Sequence, residues 1–239
     1  MTDALVMAGG RSERMRAQGD SRHKAVRRVA GRRLVEWNLQ ALACCGFTEI
    51  YVAVSAREDE LIEILRPCRN VHLLVETAPL GTIGAARNLP PSVTNVVVVN
   101  VDNLTDMNLA ALARFHLAED AAMTIATHQE PVRIPCGVVD VEGDRVVAYQ
   151  EKPRIPLRVS SGTYVLNRRA IDLIEPDRRL DVPDLVVTLL GAGERVRAWT
   201  HSAQWIDVND EDALMRAEDI VRERGVDWPG AQLLLSGRA

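Results

Sequence analysis

Lysine is nearly absent from this chain. Of the 29 basic residues only Lys24 and Lys152 are lysines, and all the others are arginines. A lysine that persists against such a bias favours a position that needs the compact ammonium and does not accommodate the wide guanidinium fork. The two lysines are therefore the first candidate functional residues.

Cysteines, long apolar runs and excess positive charge are also scarce. The four cysteines have neither zinc-site nor CxxC spacing, and the adjacent pair Cys44–Cys45 on a predicted helix indicates buried free thiols. No apolar run approaches the roughly 18 residues of a membrane span, and no cleavable signal is recognisable. The net charge of −4 gives no electrostatic case for binding nucleic acid or a membrane surface. These absences predict a cytoplasmic protein.

The composition indicates one α/β domain. The chain has 239 residues, 47% hydrophobic and 26% charged, which is enough for a large core without disulfide or metal cross-links. We find no internal repeat, low-complexity segment or linker, so a single domain over residues 1–239 is expected.

Strand and helix patterns alternate through the first half of the chain, which predicts a mostly parallel sheet covered by helices on both faces. The run VVVVNV at residues 96–101 is almost continuously β-branched, as expected of a central strand. The other predicted strands are residues 5–7, 50–54, 71–75 and 123–127, and the predicted helices are 34–43, 58–65 and 109–118.

The second half departs from this alternation. Residues 137–141 and 145–149 flank Glu142-Gly143-Asp144, a hairpin signal that predicts a small antiparallel insertion. Further strands are predicted at residues 162–166, 196–199 and 205–208, with helices near residue 170 and over 182–190 and 210–224. The predicted fold class is α/β, with a Rossmann-like, mixed and mostly parallel sheet.

A basic loop follows the first strand. The stretch LVMAGGRSERMRAQGDSRHK passes from the apolar run through Gly9-Gly10 to five basic side chains, namely Arg11, Arg14, Arg16, Arg22 and Lys24. Glycines let the backbone turn and approach a ligand closely. In open α/β sheets ligands bind beyond the carboxyl ends of strands, so this loop is a candidate polyphosphate site.

Polar loops also follow other predicted strands, at residues 76–82, 102–106 and 150–152. Phosphate oxygens bind backbone amides and cations, whereas Mg²⁺ needs one or two carboxylates. Asp102 and Asp207 are the candidate ligands, although either could instead cap a helix, with Asp210 the better cap for the last one. Glu151 has the alternative of a solvated charge at the end of a hairpin.

Taken in order, these motifs resemble the sugar-1-phosphate nucleotidyltransferase family, also called nucleoside-diphosphate-sugar pyrophosphorylases. That family's first loop reads Gly-Gly-x-Gly-Thr-Arg-Leu, with a lysine after it, usually in Pro-Lys. Its later motifs are Pro-Leu-Gly-Thr-x-Gly-Ala, an acidic residue after the central strand, Glu-Lys-Pro, Gly-x-Tyr and Trp-x-Asp. The matching positions are Gly9, Gly10, Arg14, Lys24, residues 79–85, Asp102, residues 151–153, residues 162–164 and residues 205–208.

The resemblance implies a nucleotide-diphospho-sugar transferase fold of the GT-A type, without the β-helix domain that some relatives append. It implies condensation of a nucleoside triphosphate with a sugar or cyclitol 1-phosphate, assisted by Mg²⁺ on Asp102 and Asp207. Arg14, Lys24 and Lys152 are the implied catalytic cations. A homodimer is compatible with this expectation and would use the catalytic domain itself.

Binding residues are implied in two groups. The implied nucleotide contacts are Ala8, Gly9, Gly10, Arg11, Ser12, Glu76, Pro79, Gly81, Thr82 and Asp102. The implied sugar-phosphate contacts are Asn103, Glu151, Lys152, Gly162 and Tyr164.

The chain departs from the family pattern at four positions: Ser12 and Glu13 in the first loop, His23 in place of proline, and Asn209 in place of glycine. The Pro-Leu-Gly-Thr loop resembles that of guanylyltransferases, which favours GTP. One alternative is a cytidylyltransferase acting on an alcohol phosphate such as phosphocholine. Another is a non-catalytic nucleotide-sugar-binding regulatory subunit, which Ser12, Glu13 and Asn209 would permit.

Overall fold

The computed structural model describes residues 2–10 and 23–224. The strands are β1 Asp3–Ala8, β2 Arg28–Val29, β3 Arg32–Arg33, β4 Ile50–Ser55, β5 Val71–Glu76, β6 Asn95–Asn100, β7 Asn103–Thr105, β8 Met123–Arg133, β9 Val138–Glu142, β10 Arg145–Gln150, β11 Arg154–Asn167, β12 Val196–Thr200 and β13 Trp205–Asp207. The helices are α1 Leu34–Cys44, α2 Asp59–Leu65, α3 Leu109–Ala118, α4 Arg168–Asp172, α5 Val182–Gly191 and α6 Glu211–Arg224, with 3₁₀ turns at Lys24–Val26 and Gly84–Asn88.

Seven strands form the central sheet, in the order β12-β8-β11-β6-β1-β4-β5. β1 pairs in parallel with β4 and β6, β4 with β5, and β8 with β12. β11 runs antiparallel to both β6 and β8. The predicted mixed, mostly parallel sheet is therefore confirmed, with β6 in its interior.

The valines of β6 explain how both faces of the sheet are covered. Side chains alternate along a strand, so Val97 and Val99 join one core and Val96 and Val98 the other. The first core includes Leu42 of α1 and Leu112 of α3, whereas the second includes Leu185 and Leu189 of α5. Because both faces of β6 are buried, polar side chains do not alternate with apolar ones along it, and its central residues are an unbroken run of valines.

β8 and β11 are longer than predicted. They continue beyond the buried sheet as an exposed pair, which we call the β8–β11 arm: residues 129–133 and 154–158, in register from Arg158↔Gln129 to Arg154↔Arg133. The predicted hairpin is confirmed as β9–β10, a separate two-stranded sheet. The pattern of apolar residues in the sequence predicts only the buried halves of β8 and β11, because most side chains of the arm face solvent.

All four cysteines are free, but the predicted burial of the Cys44–Cys45 pair is wrong. Cys44 is exposed and Cys45 is partly exposed, since Leu42 is the last buried residue of α1. No helix in residues 2–10 and 23–224 is long and apolar enough to cross a membrane. The single-domain prediction concerns the whole chain, including residues outside these ranges, and stays a prediction.

His116 on α3 gives a testable pH dependence of stability. Its side chain is buried and its Nδ1 hydrogen bonds with Thr124 Oγ1 at 2.9 Å. Burial lowers the pKa of His116 from 6.5 to about 4, aided by Arg169 and opposed by Asp120. The unfolded chain therefore binds this proton more readily, and stability present above pH 6.5 is lost as the pH falls towards 4.

We expect His116 to lower the free energy of unfolding by about 2 kcal/mol between pH 7.5 and pH 5. Urea unfolding at both pH values measures this change. His116→Asn keeps a polar group opposite Thr124 but does not titrate, so its stability should fall less over the same interval. Equal losses in both proteins would contradict the assignment.

Candidate active site

The first glycine loop packs against the end of β5. A Cβ on Gly9 would overlap the Glu76 carboxylate, so only glycine fits there. Glu76 is buried, and its Oε2 accepts a hydrogen bond from Leu80 N at 3.1 Å. Its Oε1 has no hydrogen-bond partner among the described residues. Burial raises the pKa of Glu76, whereas the hydrogen bond from Leu80 lowers it. The fold thus brings two predicted nucleotide loops together around one desolvated carboxylate.

Gly9→Ala is expected to lower stability by about 1–3 kcal/mol, since the new methyl group must displace the Glu76 carboxylate. Gly10→Ala is the matched control, because a Cβ there meets only Lys24 Cε at 4.0 Å. Urea unfolding of the two variants measures the difference. Equal midpoints would show that Gly9 and Glu76 are not in the contact described.

The second glycine loop is tied to the start of α5. Gly81 has φ +83°, and a Cβ there would also overlap the Leu180 carbonyl. Thr82 N donates to Asp181 Oδ1 at 2.9 Å, and Thr82 Oγ1 accepts from Val182 N at 2.9 Å. Pro79, in contrast, is exposed. Hydrogen bonds to the start of α5 therefore fix this loop, and Pro79 lies on the side of the loop that faces solvent.

Lys24 and Asp102 form an ion pair at the carboxyl end of β6. Lys24 lies in the first 3₁₀ turn, and its Nζ donates to Asp102 Oδ2. Asp102 is only 9% exposed, and its Oδ1 has no hydrogen-bond partner in the part of the chain that the structure describes. The N-cap of α3 is Asn108, so the capping alternative for Asp102 is wrong.

Asp207 lies beside Asp102. β13 pairs with β7, which places Asp207 opposite Asn103, and Val208 N donates to the Asp102 carbonyl at 2.9 Å. Asp207 Oδ2 accepts from Asn209 Nδ2 at 2.9 Å, so the asparagine that replaces the family glycine orients this carboxylate. The helix cap is instead Asp210, whose Oδ1 accepts from Ala213 N at 2.7 Å.

Asp102 and Asp207 carry the type of ligand that Mg²⁺ prefers, and the backbone hydrogen bond from Val208 to Asp102 joins their two segments. No group of three or more His, Cys, Asp or Glu side chains in residues 2–10 and 23–224 is arranged to hold a metal. Mg²⁺ does not need one, because it is commonly held by one or two carboxylates together with phosphate oxygens and water. The Asp102 Oδ1 atom, buried and without a hydrogen bond from the described residues, is the observation that favours a cation here.

Two predicted sugar-phosphate residues lie next to Asp102. Gly162 has φ +63°, and a Cβ there would overlap the Asn103 amide. Asn103 Nδ2 donates to the Ser161 carbonyl at 2.7 Å. Tyr164 is buried, its hydroxyl accepts from Ser160 Oγ at 3.2 Å, and burial raises its pKa against that hydrogen bond. Asn103 and Gly162 therefore shape one wall, whereas Tyr164 packs into the second core.

Glu151 and Lys152 lie at the far end of the β8–β11 arm. Their side chains are 58% and 50% exposed, and Lys152 Nζ lies 3.7 Å from Glu151 Oε1. Tyr149 donates to Glu151 Oε2 at 2.8 Å. An extended strand from Gly162 back to Arg154 covers about 26 Å, so the arm leads away from Asn103. The sugar-phosphate role of Glu151 and Lys152 stays a prediction.

A pair of histidines beside the site, His128 buried and His201 partly exposed, was missed by the sequence analysis. Ser161 Oγ hydrogen bonds with His128 Nδ1 and with His201 Nε2, each at 2.8 Å. Trp205 Nε1 donates to the Ser161 carbonyl at 2.7 Å, and the His128 and Trp205 rings lie 4.7 Å apart. Burial lowers the pKa of His201, and nearby His128 lowers it further, whereas the charge of Asp106 raises it. This cluster holds Ser161 and Gly162 against Asn103.

Nothing in the linear sequence indicates that cluster, since its members are separated by 33 and 40 residues. The predicted contacts at Arg11, Ser12 and Arg14 lie outside the described residues, as does Glu13. Their assignments stay predictions.

Comparison with known proteins supports the family resemblance. The sequence profile of the family described as Nucleotidyl transferase matches residues 3–224. The mannose-1-phosphate guanylyltransferase of Mycobacterium tuberculosis is 29% identical over 233 residues, which cover 92% of this chain and 65% of that protein. The mannose-1-phosphate guanyltransferase of Yarrowia lipolytica is 28% identical over 217 residues, covering 85% of this chain and 60% of that one. The chain thus spans less than two thirds of these relatives.

A solved structure confirms the fold. The crystal structure of HddC from Yersinia pseudotuberculosis, complexed with GMP-PN, superimposes with a TM-score of 0.72 at 21% identity, covering 92% of this chain and 99% of that one. The matched profile runs through both glycine loops, both carboxylates and both lysines. The chain therefore belongs to the nucleotidyl transferase family.

Proposed function

We propose that the chain is a nucleotidyltransferase that condenses GTP with a sugar or cyclitol 1-phosphate and releases pyrophosphate. The observation that carries this proposal is the Lys24–Asp102 ion pair beyond β6, next to the Gly9-Gly10 loop, with Asp207 on the strand paired with β7. A cation, two carboxylates and a glycine turn are the groups that a metal-bound triphosphate requires.

Two observations support guanine as the base. The relatives compared above carry the names of mannose-1-phosphate guanylyltransferases. In addition, the Glu76 carboxylate stands between the two glycine loops with one oxygen that accepts no hydrogen bond from the described residues. An ionised carboxylate only accepts hydrogen bonds, and the guanine edge presents two adjacent donors, the ring N–H and the exocyclic amine. Binding guanine would satisfy a carboxylate that burial otherwise destabilises.

The chain's own residues would act mainly by positioning and by charge. The Gly9 and Gly10 amides would bind the triphosphate, and the Lys24 ammonium, with Arg14 as predicted, would neutralise the departing pyrophosphate. Asp102 and Asp207 would hold Mg²⁺, which supplies positive charge to the phosphate oxygens. The attacking oxygen of the sugar phosphate is already ionised, so no general base is needed.

The acceptor would bind beside Asn103 and Gly162, which the structure places next to Asp102. Lys152 and Glu151 are proposed to contact the acceptor phosphate and sugar hydroxyls. We further propose a cytoplasmic location, which agrees with four free thiols at Cys44, Cys45, Cys68 and Cys136.

Pyrophosphate release tests the proposed function. The purified protein is assayed with Mg²⁺, each of the five common nucleoside triphosphates and a panel of hexose, heptose and cyclitol 1-phosphates. We expect release with GTP and at least one 1-phosphate, and identification of the GDP-linked product. Release only with CTP and phosphocholine would favour the cytidylyltransferase. Tight binding of a nucleotide sugar without any turnover would favour a regulatory subunit.

A further inference from the structure

His23 uses both ring nitrogens to join two parts of the candidate site. The residue replaces the family proline and is only 3% exposed. Its Nδ1 accepts a hydrogen bond from Ala25 N at 3.1 Å, and its Nε2 lies 2.8 Å from the Gly10 carbonyl oxygen. A backbone N–H can only donate, so Nδ1 carries no proton. The neutral ring therefore carries its proton on Nε2 and donates it to Gly10.

Gly10 and Ala25, which the ring contacts, belong to different halves of the proposed triphosphate site. Gly10 ends the described part of the glycine turn, whereas Ala25 lies in the 3₁₀ turn that begins with Lys24. The Lys24 side chain runs alongside Gly10 and ends on Asp102. The imidazole thus connects the backbone proposed to bind phosphate with the ammonium proposed to neutralise it. A proline at this position offers no side-chain donor for the Gly10 carbonyl.

We propose that His23 is a positioning residue that holds the Gly9-Gly10 backbone and Lys24 in one geometry, so that the amides and the ammonium engage the same triphosphate. The inference rests on the proposed nucleotidyltransferase function and deepens it. Proline restricts its own backbone and that of the residue before it, whereas the Nε2 hydrogen bond of histidine joins the residue next to Lys24 directly to Gly10. The Nδ1 hydrogen bond to Ala25 orients the ring for this contact. Loss of such alignment can cost on the order of 10²-fold in rate even when every binding group remains.

Two substitutions separate the two hydrogen bonds of His23. The amide nitrogen of glutamine reaches about as far as Nε2, so His23→Gln keeps a donor for the Gly10 carbonyl. The amide oxygen of asparagine lies near the place of Nδ1, so His23→Asn keeps the acceptor for Ala25 N–H but loses the link to Gly10. A role confined to capping the 3₁₀ turn would favour asparagine over glutamine, whereas the proposed positioning role predicts the reverse.

The experiment measures kcat and KM for GTP at saturating sugar 1-phosphate, with urea unfolding as the check on stability. We expect His23→Asn to lower kcat/KM for GTP by about 10- to 100-fold and His23→Gln to stay within about threefold of the unsubstituted protein. KM for the sugar 1-phosphate should change little in both. Equal activity of the two variants, or a greater loss in His23→Gln, would overturn the inference.

A second measurement needs neither turnover nor a variant. Nitrogen-15 NMR of the imidazole in the full chain should show His23 with a protonated Nε2 and an unprotonated Nδ1, and the opposite tautomer would overturn the inference. An absence of pyrophosphate release from the unsubstituted protein would instead count against the proposed function. The two failures are therefore distinguishable.

Discussion

Asp102→Asn is expected to lower kcat by about 10³-fold, the largest effect predicted for this protein. Asparagine keeps the shape of the side chain but removes the negative charge that Lys24 contacts and that a magnesium ion requires. The buried Oδ1 of Asp102 would become part of a neutral amide, a much weaker ligand. Steady-state pyrophosphate release at saturating substrates measures the loss.

Asp106→Asn is the matched control for this substitution. Asp106 follows directly after β7, and its Oδ1 accepts from Gln204 N at 2.8 Å, a hydrogen bond that asparagine retains. Its Oδ2 lies 3.3 Å from Arg224, outside the proposed site. We expect activity within about threefold, because a partly exposed ion pair contributes little. A similar loss in both variants would show that the stability of the segment around β7, and not the Asp102 charge, limits turnover.

Lys24→Ala is expected to lower kcat/KM by about 10²- to 10³-fold. Lys24→Arg keeps the charge but places a wide planar group in the space beside Gly10, where Lys24 Cε is 4.0 Å from a Cβ built on that glycine. We therefore expect arginine to restore only a small part of the activity. Pyrophosphate release over a range of GTP concentrations measures both variants.

Lys152→Arg is the informative comparison for Lys24→Arg. The scarcity of lysine predicts impairment at both positions. The structure, however, places Lys152 half exposed at the end of the β8–β11 arm, where a guanidinium has room. A loss in Lys152→Arg would support the proposed contact of the Lys152 ammonium with the acceptor phosphate. Unchanged activity in Lys24→Arg would refute the claim that the shape of the ammonium matters.

Burial explains which elements of the fold could be predicted. Helix α3 has the predicted bounds, Leu109–Ala118, and β6 lies within one residue of its prediction. Both elements pack against the cores, so their apolar spacing reports their conformation directly. The β8–β11 arm was underestimated for the opposite reason, since mostly exposed strands carry no regular apolar alternation.

Side-chain chemistry explains which parts of the site could be predicted. Four site residues could be predicted from local features of the sequence. Lys24 is one of only two lysines, Asp102 follows a predicted strand, and Gly9 and Gly81 belong to glycine motifs that allow a close approach of the backbone. Local spacing does not show that Asp207 lies opposite Asn103, since two separate strands must pair to bring them together. It also does not show that Asn209, a departure from the family pattern, holds the Asp207 carboxylate.

The amino-acid pattern alone therefore specifies an α/β sheet, the family resemblance and the chemical types of the site: glycine turns, two lysines and two carboxylates. Which of these groups meet is a property of the folded chain, because the contacts join residues far apart in sequence. Lys24 and Asp102 are 78 positions apart, and Ser161 joins histidines 33 residues before and 40 residues after it. Such contacts depend on strand order and register, which single-residue preferences do not encode.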